Sequence, residues 1–323
     1  LYMFGNDLTS SIPSSIGKLK SVTFLYLGDN LMTSSIPDSL GNLTALKFLD
    51  LSGNFLNSSI PSSLGNLLSL KFMDLTTNQL TNSIPSSIQS LSSLTYIDWG
   101  YNILTSSIPS WISKLTSIRV LTMSNNNLTN SIPSNFGSLS GIVFLSLNDN
   151  QLNSSIPSSF GNLTAMQKCF LGINQLTNSI PSTLVSLSVL RQLHLDNNHM
   201  NSTIPTWLSE LTSLQQLYLH DNQFTSTIPN SLGGMMELIE LSAFDNLLWG
   251  TIPSSFGPHI QLIDVGSNAN INGTIPTSFG NLTTLVHLRL ANTDIGENSC
   301  YLCCIWSIVV DIYVEFLILF CYG

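Results

Sequence analysis

Asp50, Asp74 and Asp98 stand 24 residues apart, each between two leucine-type positions in a stretch of the form L-x-x-L-x-L. Carboxylates that recur in this way fall on neighbouring strands, about 5 Å apart, if the surrounding segments pair in register. At that distance they raise one another's pKa or share a cation. Five histidines are the other candidate chemistry: His194, His199, His220, His259 and His287. His194 and His220 fall on the exposed side of their segments about one repeat apart, yet no carboxylate or cysteine lies at metal-ligand spacing beside them. No G-x-S-x-G, H-E-x-x-H, phosphate-binding loop or kinase signature is present. The residues therefore point to recognition rather than catalysis, with no catalytic set, no metal site and no cofactor expected.

The elements that position these residues are set by a period. Ile-Pro recurs with its proline at 13, 37, 61, 85, 109, 133, 157, 181, 205, 229 and 253, and again at Pro276 after 23 residues. Twelve of the thirteen prolines lie in this phase, so the chain is an array of about a dozen 24-residue units and not a pair of globular domains. In one unit, Leu46-x-x-Leu49-x-Leu51 alternates apolar and polar residues as a short strand does. Asn54 ends it, and the same Asn recurs as Asn30, Asn78, Asn102, Asn126, Asn150, Asn174, Asn198, Asn222 and Asn246. An amide stacked at every turn is expected to form a ladder that satisfies backbone groups no strand partner reaches. Leu56 and Ile60 point inward, Pro61 fixes the backbone, and Leu64, Leu67 and Leu70 fit a short helical or 3₁₀ segment on the far side.

These residues, L-x-x-L-x-L-x-x-N-x-L followed by S-x-I-P-x-x-L-G-x-L, closely resemble the plant-type leucine-rich repeat over residues 1–295. The resemblance implies a right-handed α/β solenoid of horseshoe or superhelical form. A parallel sheet of thirteen short strands would line its concave side, with short 3₁₀ or helical segments on the convex side. It also implies an extracellular role, as in receptor-like kinase and receptor-like protein ectodomains or wall-associated inhibitors, and it makes Asp a common filling of the strand position held by Asp50. One departure is regular: where the family has Gly two residues before Ile-Pro, as at Gly250, most units carry Ser34, Ser58, Asn82, Ser106, Asn130, Ser154, Asn178 or Ser202. Ser tolerates a positive φ less well than Gly or Asn, which predicts a differently shaped second strand. The last unit, with Thr293 in the Asn position, reads as a decayed terminal repeat.

The exposed strand positions form two columns. One reads Phe24, Phe48, Phe72, Tyr96, Val120, Phe144, Lys168, Gln192, Gln216, Glu240; the other reads Tyr2, Tyr26, Asp50, Asp74, Asp98, Thr122, Ser146, Phe170, His194, Tyr218, Ser242. An aromatic and acidic half gives way to a polar half. The ligand site is accordingly placed on Tyr26, Phe48, Asp50, Phe72, Asp74, Tyr96 and Asp98, facing a peptide, protein or glycan, with a co-receptor as a further partner. The hydroxyl–amide triplets before each Ile-Pro, such as Thr33-Ser34-Ser35, are expected to make polar rows at sheet spacing, an alternative surface for polysaccharide or ice. Trp111 and Trp207 break the pattern after their prolines, as sugar platforms or outer-face packing.

Charge is scarce, with nine Lys+Arg against eighteen Asp+Glu and a net charge of −9, and no basic cluster suits a nucleic-acid backbone. N-x-S/T sequons at Asn42, Asn57, Asn127, Asn153, Asn162, Asn201, Asn272 and Asn281 fit a secreted glycoprotein. Cys169 takes a Leu position and reads as a small buried hydrophobe, while four cysteines crowd residues 300–323. The chain opens on Leu1 inside a repeat and reads as a fragment. Its 296–323 tail is hydrophobic, but Asp311 and Glu315 cancel the insertion energy of its apolar run. It reads as a marginal membrane segment, a piece of one, or the translation of non-coding sequence, and membrane attachment is expected to run through it.

Overall fold

The computed structural model describes residues 1–295, so the tail and its expected membrane segment lie outside the described residues. The chain divides into two compact units, one of Leu1–Leu176 and one that begins at Thr177.

In the first unit the L-x-x-L-x-L segments become three-residue strands, Phe24–Tyr26, Phe48–Asp50, Phe72–Asp74, Tyr96–Asp98, Val120–Thr122, Phe144–Ser146 and Lys168–Phe170, side by side and parallel. Each residue pairs with its equivalent one period on, Phe48 with Phe72 and Asp50 with Asp74. The middle residue of every strand is buried, Leu49, Met73, Ile97 and Cys169 among them, while the two flanking side chains stay on the open face. Burial pushes the Cys169 thiol up to about 12, as befits a hydrophobe in a leucine column. In the second unit Gln192–His194, Gln216–Tyr218, Glu240–Ser242, Leu262–Asp264 and His287–Arg289 repeat the arrangement. Tyr2, expected to open a thirteenth strand, makes an isolated bridge to Tyr26.

The asparagine after each strand is buried and fully used. Asn78 donates from Nδ2 to the carbonyls of Leu75, Thr76 and, one repeat back, Leu51, and its Oδ1 accepts the Leu56 amide, all at 2.9 to 3.2 Å. Asn54, Asn102, Asn126 and Asn150 do the same for their own repeats. In the shorter repeat, Asn268 still accepts the Leu248 amide at 3.0 Å. Among the described residues Thr293 at the end donates only to Leu290 of its own repeat, at 2.8 Å.

Beyond the asparagine a second, narrower set of parallel strands forms: Thr33–Ser35, Phe55–Ser59, Gln79–Asn82 and Ile103–Leu104 make one sheet of four, and Thr129–Asn130, Gln151–Ser154 and Gln175–Leu176 make another. The expectation that Ser would reshape this strand is corrected. Ser34, Ser58, Ser106 and Ser154 take φ of 68 to 76°, close to the 82° of Gly250. Amide bonds between successive repeats, such as Thr33 to Ser10 at 2.9 Å and Thr105 to Asn82 at 3.0 Å, hold the chain there against the intrinsic preference of serine. No second strand forms around Ser10, Ser202 or Ser226.

Register separates the two sheets. In the first unit main-sheet partners differ by 24 positions, whereas in the second sheet Ser34 faces Leu56 and Ser58 faces Leu80, a difference of 22. Equivalent residues therefore drift by two positions per strand, and the triplets run obliquely instead of in straight rows. Pro61 then opens a five-residue 3₁₀ helix, Ser62–Asn66, with Leu64 and Leu67 buried beneath it. Gly65 is required at this crossing, since a Cβ there would lie 2.5 Å from both Cβ and the carbonyl oxygen of Ser87.

Candidate functional site

On the open face of the first unit the in-register pairing places like rings beside like rings. Phe24 and Phe48 stack with centroids 4.9 Å apart, Phe48 and Phe72 at 5.8 Å, and Phe72 and Tyr96 at 4.3 Å, with planes within 29° of parallel. The spacing follows from strands about 4.8 Å apart carrying side chains that stand normal to the sheet. Each interior ring has its faces covered by neighbours, so the row presents ring edges to solvent, and all four rings are half-buried. Edges carry the positive end of the ring quadrupole, which makes the row a rigid apolar strip and not a platform for cations. Phe24 belongs to this row although sequence reasoning left it outside the site; its place in the same column was the available signal. Tyr26 lies in the neighbouring column and stacks on Tyr2 at 4.9 Å.

Beside the rings run Asp50, Asp74 and Asp98. Each closes a turn two residues on: Asp50 Oδ1 accepts the Ser52 amide at 3.0 Å, Asp74 Oδ1 the Thr76 amide at 3.0 Å, and Asp98 Oδ1 the Gly100 amide at 2.9 Å. Asp98 also accepts from the Thr122 hydroxyl. Asp74, in the middle, is desolvated and flanked by Asp98, Asp50 and Asp29, and its pKa is pushed up to about 7 in spite of the Thr76 bond. Burial and the carboxylates of Asp98, Asp74 and Asp50 push Tyr96 up to about 12. Among the described residues, no group of three or more His, Cys, Asp or Glu is arranged to hold a metal ion.

The titration of Asp74 has a definite sign. A carboxyl whose folded pKa lies near 7 and whose unfolded value is 3.8 holds its proton more tightly when folded. Its contribution to stability is thus present at low pH and disappears as pH rises through the window between those values. Asp74→Asn keeps the acceptor for Thr76 and removes that slope. We expect the variant to be more stable than the parent by about 1–2 kcal/mol at about pH 8, a figure reduced for partial exposure, and nearly equal to it at about pH 4. Urea midpoints at the two pH values check this; a difference that does not change with pH would show that Asp74 ionises normally.

The second unit carries a different surface. His194 stacks on Tyr218 at 4.2 Å, and His220 stacks on Phe244 at 4.4 Å. The two imidazoles stack on different rings, and Tyr218 and His220, with centroids 6.0 Å apart, join the two pairs. Gln192 Nε2 donates to Gln216 Oε1 at 2.5 Å, Tyr218 donates to Glu240, and His220 Nδ1 lies 2.8 Å from Asp221. Desolvation lowers the pKa of His194. Trp111 and Trp207 are half-buried on the 3₁₀ turns Ser110–Lys114 and Thr206–Glu210, away from both strand faces.

Sequence models described as leucine-rich repeat match residues 21–43, 45–67 and 69–128, and one described as a leucine-rich repeat region matches 117–251. Together with the stacked strands and the asparagine ladder, these matches decide the family. The chain is a leucine-rich-repeat protein of the plant type. No curated protein matches it at a significant level. Among solved structures it is similar to the plant peptide hormone receptor RGFR1 in complex with RGF2, at 30% identity over 90% of this chain and 51% of that one, with a TM-score of 0.80. It is also similar to the ectodomain of the Arabidopsis receptor kinase HAESA in complex with an extended IDA peptide hormone, at 30% identity over 91% and 54%, TM-score 0.77. A plant ice-binding protein matches at 27% identity over 72% and 75%, TM-score 0.64. This leucine-rich-repeat protein spans about half the length of the receptor chains it matches. Among the described residues no helix is long and apolar enough to cross a membrane.

Proposed function

We propose that this leucine-rich-repeat protein is an extracellular recognition module that binds an extended peptide or protein segment across the open face of its first unit, as part of a cell-surface receptor-like protein. The observation that carries this reading is the ring row Phe24–Phe48–Phe72–Tyr96 with Asp50, Asp74 and Asp98 beside it. A preformed strip costs little conformational entropy when a ligand lies on it, and half-buried rings are the residue type that anchors interfaces. Two solved relatives were captured with peptide hormones, which supports the ligand class. All eight sequon asparagines are exposed, which supports a glycosylated, extracellular setting. Attachment to a membrane through the tail, contact with a co-receptor and a signalling role belong to the same reading.

The test is the triple variant Phe48→Ala, Phe72→Ala, Tyr96→Ala against phage-displayed peptides selected on the parent chain. Loss of about 1–2 kcal/mol per ring predicts binding weakened by several kcal/mol with the circular dichroism of the repeats unchanged. Full retention of binding would overturn the assignment. Phe72→Leu, which keeps bulk but interrupts the row, serves if the triple variant does not fold.

A second reading has one observation in its favour, the similarity to a plant ice-binding protein. It makes the chain a secreted or wall-associated protein that binds polysaccharide or ice, or inhibits another enzyme, through the Ser, Thr and Asn triplets. The oblique register of the second sheet and the exposed Phe55 and Ile103 within it interrupt the regular hydroxyl lattice such binding requires. Thermal hysteresis and glycan arrays distinguish the two readings, since only the second predicts activity that survives loss of the rings.

A further inference from the structure

The chain has nine basic residues, and two of them, Lys47 and Lys71, hold the same position in adjacent repeats, immediately before the strands Phe48–Asp50 and Phe72–Asp74. Both are exposed. Arg119 holds that position two repeats further on, exposed and bonded through its guanidinium to the Gly141 carbonyl at 2.8 Å. Each strand therefore reads, along its length, a cation, a ring and a carboxylate: Lys47-Phe48-x-Asp50, then Lys71-Phe72-x-Asp74. At about 3.3 Å per residue the cationic and anionic edges lie roughly 10 Å apart, with the ring row between them. Neither lysine and none of Asp50, Asp74 and Asp98 takes part in an ion pair among the described residues. In a chain with so little charge, two unpaired rows of opposite sign on either side of an apolar strip form a surface complementary to a ligand with the reverse pattern.

We infer that the ligand is an extended peptide running along the ring row, across the strands, with an acidic side chain toward Lys47 and Lys71 and a basic side chain toward Asp50, Asp74 and Asp98. This rests on the reading that the ring row is a peptide site. An extended chain sends successive side chains to opposite sides, so the acidic and basic residues stand at odd separation, adjacent or three apart. The row from Phe24 to Tyr96 covers three strand spacings, roughly 14 Å, enough for four or five peptide residues. Two peptide residues advance about 6.6 Å while a strand spacing is about 4.8 Å; the long, flexible lysine stems absorb that mismatch where a rigid guanidinium would not.

The experiment is selection from a phage-displayed library of random octapeptides on the full chain, on the ring triple variant, and on the double reversal Lys47→Glu, Lys71→Glu. Ring-dependent binders should be enriched in an acidic and a basic residue at odd separation, adjacent or three apart, in an otherwise apolar stretch. The double reversal should replace the acidic preference by a basic one and weaken the parent's peptides about tenfold, since each exposed pair is worth roughly two- to fivefold in affinity. That loss should shrink with added salt. Ring-dependent peptides without the charge pattern, or peptides that bind the double reversal as tightly as the parent, overturn the inference and leave the peptide site standing. Peptides whose binding ignores the ring substitutions overturn both.

Discussion

Replacing Asn78 by alanine lowers the stability of the repeats by about 2–4 kcal/mol. The side chain is buried, and three of its four bonds run to carbonyls while the fourth receives the Leu56 amide. Two of the partners, Leu51 and Leu56, belong to the preceding repeat, so the amide joins neighbours as well as closing its own turn. Alanine leaves the Leu56 N–H without an acceptor in a site that excludes water, at about 1–3 kcal/mol, and removes the bonds donated to Leu51, Leu75 and Thr76, worth about 1 kcal/mol more; the Leu51 carbonyl keeps Asn54 Nδ2 at 3.2 Å. Coupling between neighbouring repeats carries most of the stability of such an array, so the loss spreads beyond one turn. Urea unfolding followed by circular dichroism measures it, with the exposed Gln79→Ala as a reference expected to stay within about 0.5 kcal/mol. The terminal position gives an internal comparison. Among the described residues Thr293 bonds only within its own repeat, so Thr293→Ala should cost no more than about 1 kcal/mol. Equal losses at the two positions would show that the amide does not couple repeats.

Trp99→Ala is expected to cost about 3–5 kcal/mol. Trp99 occupies the column filled elsewhere by Leu51, Leu75 and Leu147, yet it has no exposed surface. Its indole nitrogen lies 3.3 Å from the sulfur of Met73, one repeat back, and Met123 follows it one repeat on. The two methionines give the core the adaptable shape that a large ring in a leucine position needs. Alanine opens a cavity that rigid neighbouring repeats cannot close, whereas Trp99→Leu restores the usual residue and costs about 1–2 kcal/mol. Thermal and urea midpoints of both variants check the ordering. A leucine variant as unstable as the alanine one would mean that the neighbours have been built around the ring and cannot relax.

Much of this protein was determined by its sequence alone. The 24-residue spacing of Ile-Pro, the alternation around Leu49 and Leu51, and the recurrence of Asn54 specify strand, turn and 3₁₀ helix in most repeats, because each of these is a local preference written many times over; the irregular repeat after Pro253 forms no 3₁₀ helix. Repetition removes the ambiguity that a single short strand would carry. The columns Phe24–Tyr96 and Asp50–Asp98 were likewise legible, since an exact period in sequence becomes a straight row when strands pair one period apart.

Only the tertiary structure decided how those rows behave. In the first unit the main sheet pairs at 24 and the second sheet at 22, so one set of columns stays straight while the triplets slant, and nothing in the repeat text distinguishes the two. The serines at φ near 70° are held by hydrogen bonds from adjoining repeats, against their own preference. The aromatic column turned out to be a stack with its faces covered, and the ring partners of His194 and His220 depend on the rotamers of residues 24 positions away. Asp74 is raised to about 7, because desolvation and the charges of its neighbours add at the middle of the row. The division has one physical cause. Backbone preference and hydrophobic period act between residues close in sequence, whereas register, ring contact and desolvation are set by what the adjacent repeat places a few ångströms away in space.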